Sequence, residues 1–200
     1  ADLVGASSRE EVVARLTAFA RELPDGAWLL GNGWDQNLWP DTAFPTAADL
    51  DAAFPDRPVW LRRIDGHAGW ANSAAMRAAD AAGARLADAA DPQGGRIVRE
   101  AGAPTGVFID EAMGLIEAAI PALSADDNAR ALELALDAAV RNGLTGVHDM
   151  GVSREGLALY RQFADAGRLP LRVSAYADGE GAALDDLCSN GLYAHDGGRL

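Results

Sequence analysis

Apolar positions in the first two dozen residues recur at helical spacing. Val12, Val13, Leu16, Phe19 and Ala20 follow Ser7-Ser8-Arg9-Glu10, which reads as a capping box, and predict an amphipathic helix to about Glu22. Pro24-Asp25-Gly26 marks a turn, Ala27 to Gly31 a short apolar strand, and Gly31-Asn-Gly-Trp-Asp35 a glycine-rich loop. That loop is read either as an anion cradle or as a turn that lets Trp34 pack. Thr46 to Ala53 predicts a short helix capped by Thr46 and ended by Pro55. Pro58 to Ile64 reads as a strand, Asp65-Gly66-His67 as a turn, and Asn72 to Ala82 as a helix. A tight turn at 91–95 precedes short strands at 96–99 and 107–110.

The pattern changes character near Ser124. Ser124 caps a long helix to Arg141 whose apolar face carries Leu132, Leu136, Ala139 and Val140, and Asn142-Gly143 stops it. Leu144 to Met150 is a strand, Ser153 caps a helix through Leu157, Tyr160 and Phe163, Pro170 to Ala177 is a strand, and a helix follows from about Ala182. This α–β–α–β–α order predicts parallel strands with right-handed crossovers. The expected organisation is therefore a mixed α/β segment over residues 1–123 and early βα units over 124–200.

Composition narrows the chemistry. The net charge is −13 over 200 residues, and all 17 basic residues are arginines. With no lysine, this chain has no Schiff-base lysine, no P-loop lysine and no carboxylated-lysine metal bridge. The acidic balance argues against nucleic-acid and anionic-membrane partners. No run approaches the ~20 apolar residues of a membrane span, and no basic-then-apolar leader opens the chain, which starts like the middle of a protein. Cys188, the single cysteine, is expected in a helix as a partly buried, inert thiol; a lone cysteine suggests a cytoplasmic protein.

Candidate chemistry concentrates in two places. Residues 62–73 pack Asp65, His67, Trp70, Asn72 and Ser73 just after an apolar strand, and all five tryptophans fall in or near this region. Aromatic walls with a few polar groups suit a small-molecule site, so Trp34, Asp65 and His67 are candidate substrate-binding residues. The blander alternative has Asp65 capping the turn and His67 packed on Trp70. The second place is His148-Asp149, at the C-terminal end of a parallel strand, where α/β proteins put ligands. Adjacent strand residues face opposite ways, so only one of the two faces the functional side. The three histidines, His67, His148 and His195, form neither His-x-His nor His-x-x-x-His, and no serine sits in a nucleophile elbow. No metal ligand is assigned within this chain.

Several motifs together resemble amidohydrolase family 3, the branch of metal-dependent hydrolases that includes N-substituted formamide deformylases. They are Trp28-Leu-Leu-Gly-Asn-Gly-Trp-Asp35, Pro45-Thr46 with Asp49-Leu-Asp51, Pro55-Asp-Arg-Pro-Val59 and Arg63-Ile-Asp-Gly-His-Ala-Gly-Trp-Ala-Asn-Ser73. Asp91-Pro-Gln-Gly-Gly-Arg-Ile97, Pro104-Thr-Gly-Val107, Gly143-Leu-Thr-Gly-Val-His-Asp-Met150 and Gly167-Arg-Leu-Pro-Leu-Arg172 complete the set. The resemblance implies a metallohydrolase TIM-type (βα)8 barrel with an inserted α/β segment, and hydrolysis of amide-type C–N bonds using one or two divalent metals, usually zinc. Such a metal lowers the pKa of a bound water and polarises the carbonyl. The family's His-x-His pair belongs before Ala1; its strand lysine, two later histidines and catalytic aspartate belong after Leu200. A barrel of this type takes about 250 residues. The chain thus reads as an internal piece of a metal-dependent hydrolase, inactive alone, with an amide-type small molecule as the parent's substrate. An open set of strands with uncovered apolar faces predicts self-association. A binding module without catalysis and a truncated structural fragment are the rival readings.

Overall fold

The computed structural model describes residues 1–179, 181–195 and 197–200. It divides into two compact units, Ala1–Pro121 and Ala122–Leu200. Among the described residues, no helix is long and apolar enough to cross a membrane.

In the first unit, α1 (Arg9–Ala20) is capped by Ser8, whose hydroxyl accepts from the Glu11 amide. Glu11 reaches back to the Ser7 amide at 2.8 Å, so the N-cap sits one residue later than in the Ser7 to Glu10 box read from the sequence, and the return bond goes to the residue before it. Val12 and Leu16 are buried. The remaining elements are β1 (Leu29–Trp34), α2 (Ala47–Asp51), β2 (Val59–Arg63), β3 (Ala68–Ala71), α3 (Ser73–Ala81), β4 (Gly95–Glu100), β5 (Ala103–Asp110) and the single turn α4 (Gly114–Glu117). The five strands form one mixed sheet in the order β1-β2-β3-β5-β4. Strands β1 and β2 are parallel, and every other pairing is antiparallel. The glycine-rich segment is neither cradle nor turn: Gly31 to Trp34 lies within β1.

The sequence pattern does not predict β3. Its residues Ala-Gly-Trp-Ala are all buried, so the polar–apolar alternation that marks a half-exposed strand is missing. Gly69 is required there. A Cβ at this position would lie 1.9 Å from the Trp60 ring, which crosses the backbone of β3.

The tryptophans build the core. Trp34, Trp39 and Trp70 pack with ring centroids 5.9–6.1 Å apart, and all three are buried. Each indole N–H finds a backbone carbonyl, those of Leu61, Ala6 and Thr46 respectively. A buried indole needs such a partner.

Asn72 joins four segments. Its Oδ1 accepts from the amides of Val59 (3.0 Å) and Ala75 (2.9 Å), and its Nδ2 donates to the carbonyls of Phe54 (2.7 Å) and Arg57 (2.9 Å). The side chain is fully buried and meets its full complement of two donors and two acceptors. It caps α3 while fixing the entry into β2. One residue on, Asp51 at the end of α2 accepts from both the amide and the hydroxyl of Ser73.

The second unit follows the predicted order: α5 (Ala125–Arg141), β6 (Gly146–Val152), α6 (Arg154–Asp165), β7 (Arg172–Ala177) and α7 (Ala182–Asn190). Ser124 and Ser153 cap α5 and α6, and β6 and β7 pair in parallel. Leu136, Phe163, Leu169, Leu171 and Val173 form its core with Leu132 and Ala139 at the edge. Val140, read as part of the apolar face of α5, is exposed, as are Met150 and Tyr176. Cys188 is also exposed, not partly buried.

Removing the Asn72 amide leaves two buried donors, one buried acceptor and one part-buried acceptor unpaired, at about 1–3 kcal/mol for each group left dry. Asn72→Ala is expected to destabilise the protein by at least about 3 kcal/mol. Urea denaturation measures this; a loss below about 1 kcal/mol contradicts the role assigned to Asn72.

Candidate functional site

The turn between β2 and β3 carries the first candidate. Gly66 adopts φ +77°, a left-handed conformation that costs glycine little, and its amide donates to the Arg63 carbonyl at 2.9 Å. Asp65 closes the turn: Oδ1 accepts from the His67 amide at 3.0 Å. The same carboxylate receives two N–H groups of Arg63, at 2.9 and 2.7 Å. Arg63 bonding is the main reason the Asp65 carboxyl lies below its ordinary pKa. Asp65 is therefore engaged in holding the turn, as in the blander of the two sequence readings.

His67 does not pack on Trp70. Its ring turns instead to Asp110 at the end of β5, where Nδ1 lies 2.7 Å from Oδ1. The backbones are joined as well, with the Asp110 amide donating to the His67 carbonyl at 3.2 Å. The His67 side chain remains 71% exposed. Asp110 has φ +49° and ψ −124° and makes no side-chain cap to the 3₁₀ turn that follows it. A non-glycine residue in such a conformation costs about 1–3 kcal/mol, whereas even a fully charged exposed pair contributes only about 0–1 kcal/mol. The pair's own stabilising effect does not account for the strained backbone that positions it. Nothing local in the sequence connects residues 67 and 110; the sheet order alone brings them together.

Trp34, read as a ligand-facing residue, is fully buried with its N–H bonded to Leu61. It belongs to the core of the first unit, and the tryptophan-lined pocket expected from the sequence is a packed interior.

In the second unit, His148 and Asp149 do face opposite ways. Asp149 accepts from the Tyr160 hydroxyl of α6 at 2.7 Å. Burial, followed by this carboxylate, pushes the Tyr160 pKa above its usual value. His148 lies on the other face, stacked on Tyr176 at 5.9 Å between centroids, with Nδ1 3.3 Å from the tyrosine oxygen. In the β6–β7 register, His148 stands beside Ser174 and Met150 beside Tyr176, so these four side chains share one face. Tyr176 was not singled out from the sequence; its place one strand over, at the end of a predicted parallel strand, was the available signal.

A cleft of about 730 Å³ in the same unit is lined by residues of α6, β7 and α7. Its charged groups are already matched. Arg154 grips Asp186 with two bonds, at 2.7 and 2.6 Å, and Arg161 lies 4.3 Å above the Tyr193 ring. Among the described residues, no three His, Cys, Asp or Glu side chains group so that they could hold a metal ion.

Because the folded-state pKa of Asp65 is depressed, its contribution to stability is fully present above the unfolded carboxylate value of about 3.9 and is lost as pH falls through the lower folded value. Arg63→Gln is expected to move the Asp65 titration upward toward the ordinary range. Carboxyl NMR titration reads this directly, and an unchanged midpoint contradicts the assignment to Arg63.

The Amidohydrolase family profile matches residues 1–197. The chain is 37% identical over 177 residues to YtcJ of Bacillus subtilis strain 168, named as an amidohydrolase, covering 86% of this chain and 33% of that protein. It is 32% identical over 180 residues to the N-substituted formamide deformylase of Arthrobacter pascens, covering 86% of this chain and 32% of that protein. It is also similar to the crystal structure of an uncharacterized metal-dependent hydrolase from Pyrococcus horikoshii OT3. That likeness has a TM-score of 0.65 and 27% identity, and covers 100% of this chain and 36% of the other. The chain thus spans about a third of the length of these proteins. With the motifs of residues 28–73 and 143–150 in place, the chain belongs to the amidohydrolase family.

Proposed function

We propose that this chain is part of a metal-dependent amidohydrolase whose complete form hydrolyses a non-peptide, amide-type C–N bond. The observation that carries the reaction class is the likeness over 180 residues to a protein named N-substituted formamide deformylase. In our reading the divalent metal is zinc and takes its ligands from the two thirds of the relatives' length that this chain does not cover. The 200-residue piece is accordingly inactive alone.

In this reading residues 1–123 are the inserted α/β segment and residues 124–200 supply early βα units of a TIM-type barrel. The parallel β6–β7 pair with its helices supports the second assignment. Within the first unit His67 is the candidate substrate-side group, exposed with its ring on Asp110, and within the second unit, taken by itself, His148 is the candidate, exposed with its ring on Tyr176. Asp65 and Asp149 act behind them, the first by closing the turn and the second by anchoring β6 to α6. The partner is a small amide-type molecule, not nucleic acid or membrane, in a cytoplasmic protein. The exposed apolar side chains Leu144, Met150 and Tyr176 support self-association of the isolated piece.

The test is a paired assay on N-formyl and N-acyl amides with added zinc, using the full-length protein and the 200-residue chain. Turnover by the full-length protein alone is expected. Failure of the full-length protein on every amide overturns the reaction class. Turnover by the short chain that His67→Ala abolishes overturns its inactivity.

A further inference from the structure

We propose that Asp110 is a positioning residue that locks His67 in one tautomer, so that Nε2 accepts a hydrogen bond from an N–H group of the substrate. The inference rests on the amide-hydrolase reading above for the substrate's identity, and on geometry for the rest. An ionised carboxylate only accepts hydrogen bonds. With Asp110 Oδ1 at 2.7 Å from Nδ1, the neutral imidazole must carry its proton on Nδ1. Its outward nitrogen, Nε2, is then an acceptor with no proton to donate. The chemistry it recognises is a donor: the N–H of a secondary amide or formamide fits, and a carbonyl oxygen does not.

His67 is restrained at its ring by one carboxylate and at its backbone by another. Asp65 holds the His67 amide, Arg63 holds Asp65, and Asp110 holds the ring. The Asp110 amide also closes on the His67 carbonyl. The Asp110 carboxylate is free for this task because it does not cap the turn it opens. The ring so fixed is left 71% exposed. That combination, a restrained backbone and a restrained ring with an open outer nitrogen, is what preorganised recognition requires. It is poor design for a surface histidine with no ligand.

The experiment uses the full-length protein with nitrogen-15 histidine, above the pH range of imidazole titration. Long-range proton–nitrogen spectra, with the His67 signals assigned by their loss in His67→Gln, report which ring nitrogen carries the proton. The Nδ1–H form is expected in the unmodified protein. Asp110→Gly removes the carboxylate while accepting the positive φ without strain, and should release His67 to the Nε2–H form that free histidine favours. Asp110→Asn, whose amide oxygen can still accept, should keep the original tautomer. In steady-state hydrolysis of a formamide, Asp110→Gly should raise KM about tenfold with kcat little changed, as loss of one uniformly made hydrogen bond does. Combined with His67→Ala it should add nothing further.

An Nε2–H signal in the unmodified protein overturns the proposal. So does a KM that Asp110→Gly leaves unchanged while turnover persists, and in that case the hydrolase reading stands. Absence of amide turnover in the unmodified protein is a distinct result, which removes the hydrolase reading and the substrate named here together.

Discussion

The Asn72 side chain makes four hydrogen bonds, all to backbone, and the first unit is organised around them. Two anchor the chain before β2, one fixes the first residue of β2, and one caps α3. Buried amides of this kind leave little freedom, because any rearrangement strands a polar group in a dry interior. The position of β2 determines where its following turn lies, and the return strand β3 then places His67 beside the end of β5. The Trp34, Trp39 and Trp70 cluster fills the space beneath the sheet and ties each indole to a different segment of backbone. The centre is filled by buried side chains, and the chemically open group lies at its edge.

That division separates two kinds of histidine neighbour. Asp65 acts on the His67 backbone and Asp110 acts on its ring, so the turn and the tautomer are controlled independently. In the second unit the same separation appears across a strand: Asp149 anchors β6 to α6, leaving His148 on the opposite face with Tyr176. In both units a carboxylate secures the scaffold and an imidazole faces outward.

Much of this was legible from local signals. Thr46, Ser124 and Ser153 mark helix starts through their side chains, and the β–α alternation after Ser124 dictates the parallel pairing. The Asp-Gly-His turn follows from Gly66, and the opposite facing of His148 and Asp149 from the two-residue period of a strand. What escaped had no local signature. β3 is buried on both faces and contains glycine, so it lacks alternation. Asp110 lies 43 residues from His67 and meets it only because β3 pairs with β5. The tryptophans illustrate a different limit: composition shows that a region is aromatic, but whether those rings line a pocket or fill a core depends on where their N–H groups find acceptors.

On the proposed reading, the first unit presents an oriented imidazole to an amide substrate. The most direct measurement is a crystal structure of the full-length protein with a slowly hydrolysed N-substituted formamide bound. The His67 Nε2 atom is expected within hydrogen-bonding distance of the amide N–H, with Asp110 still on Nδ1. A bound amide whose N–H is satisfied elsewhere, with His67 facing only solvent, contradicts it.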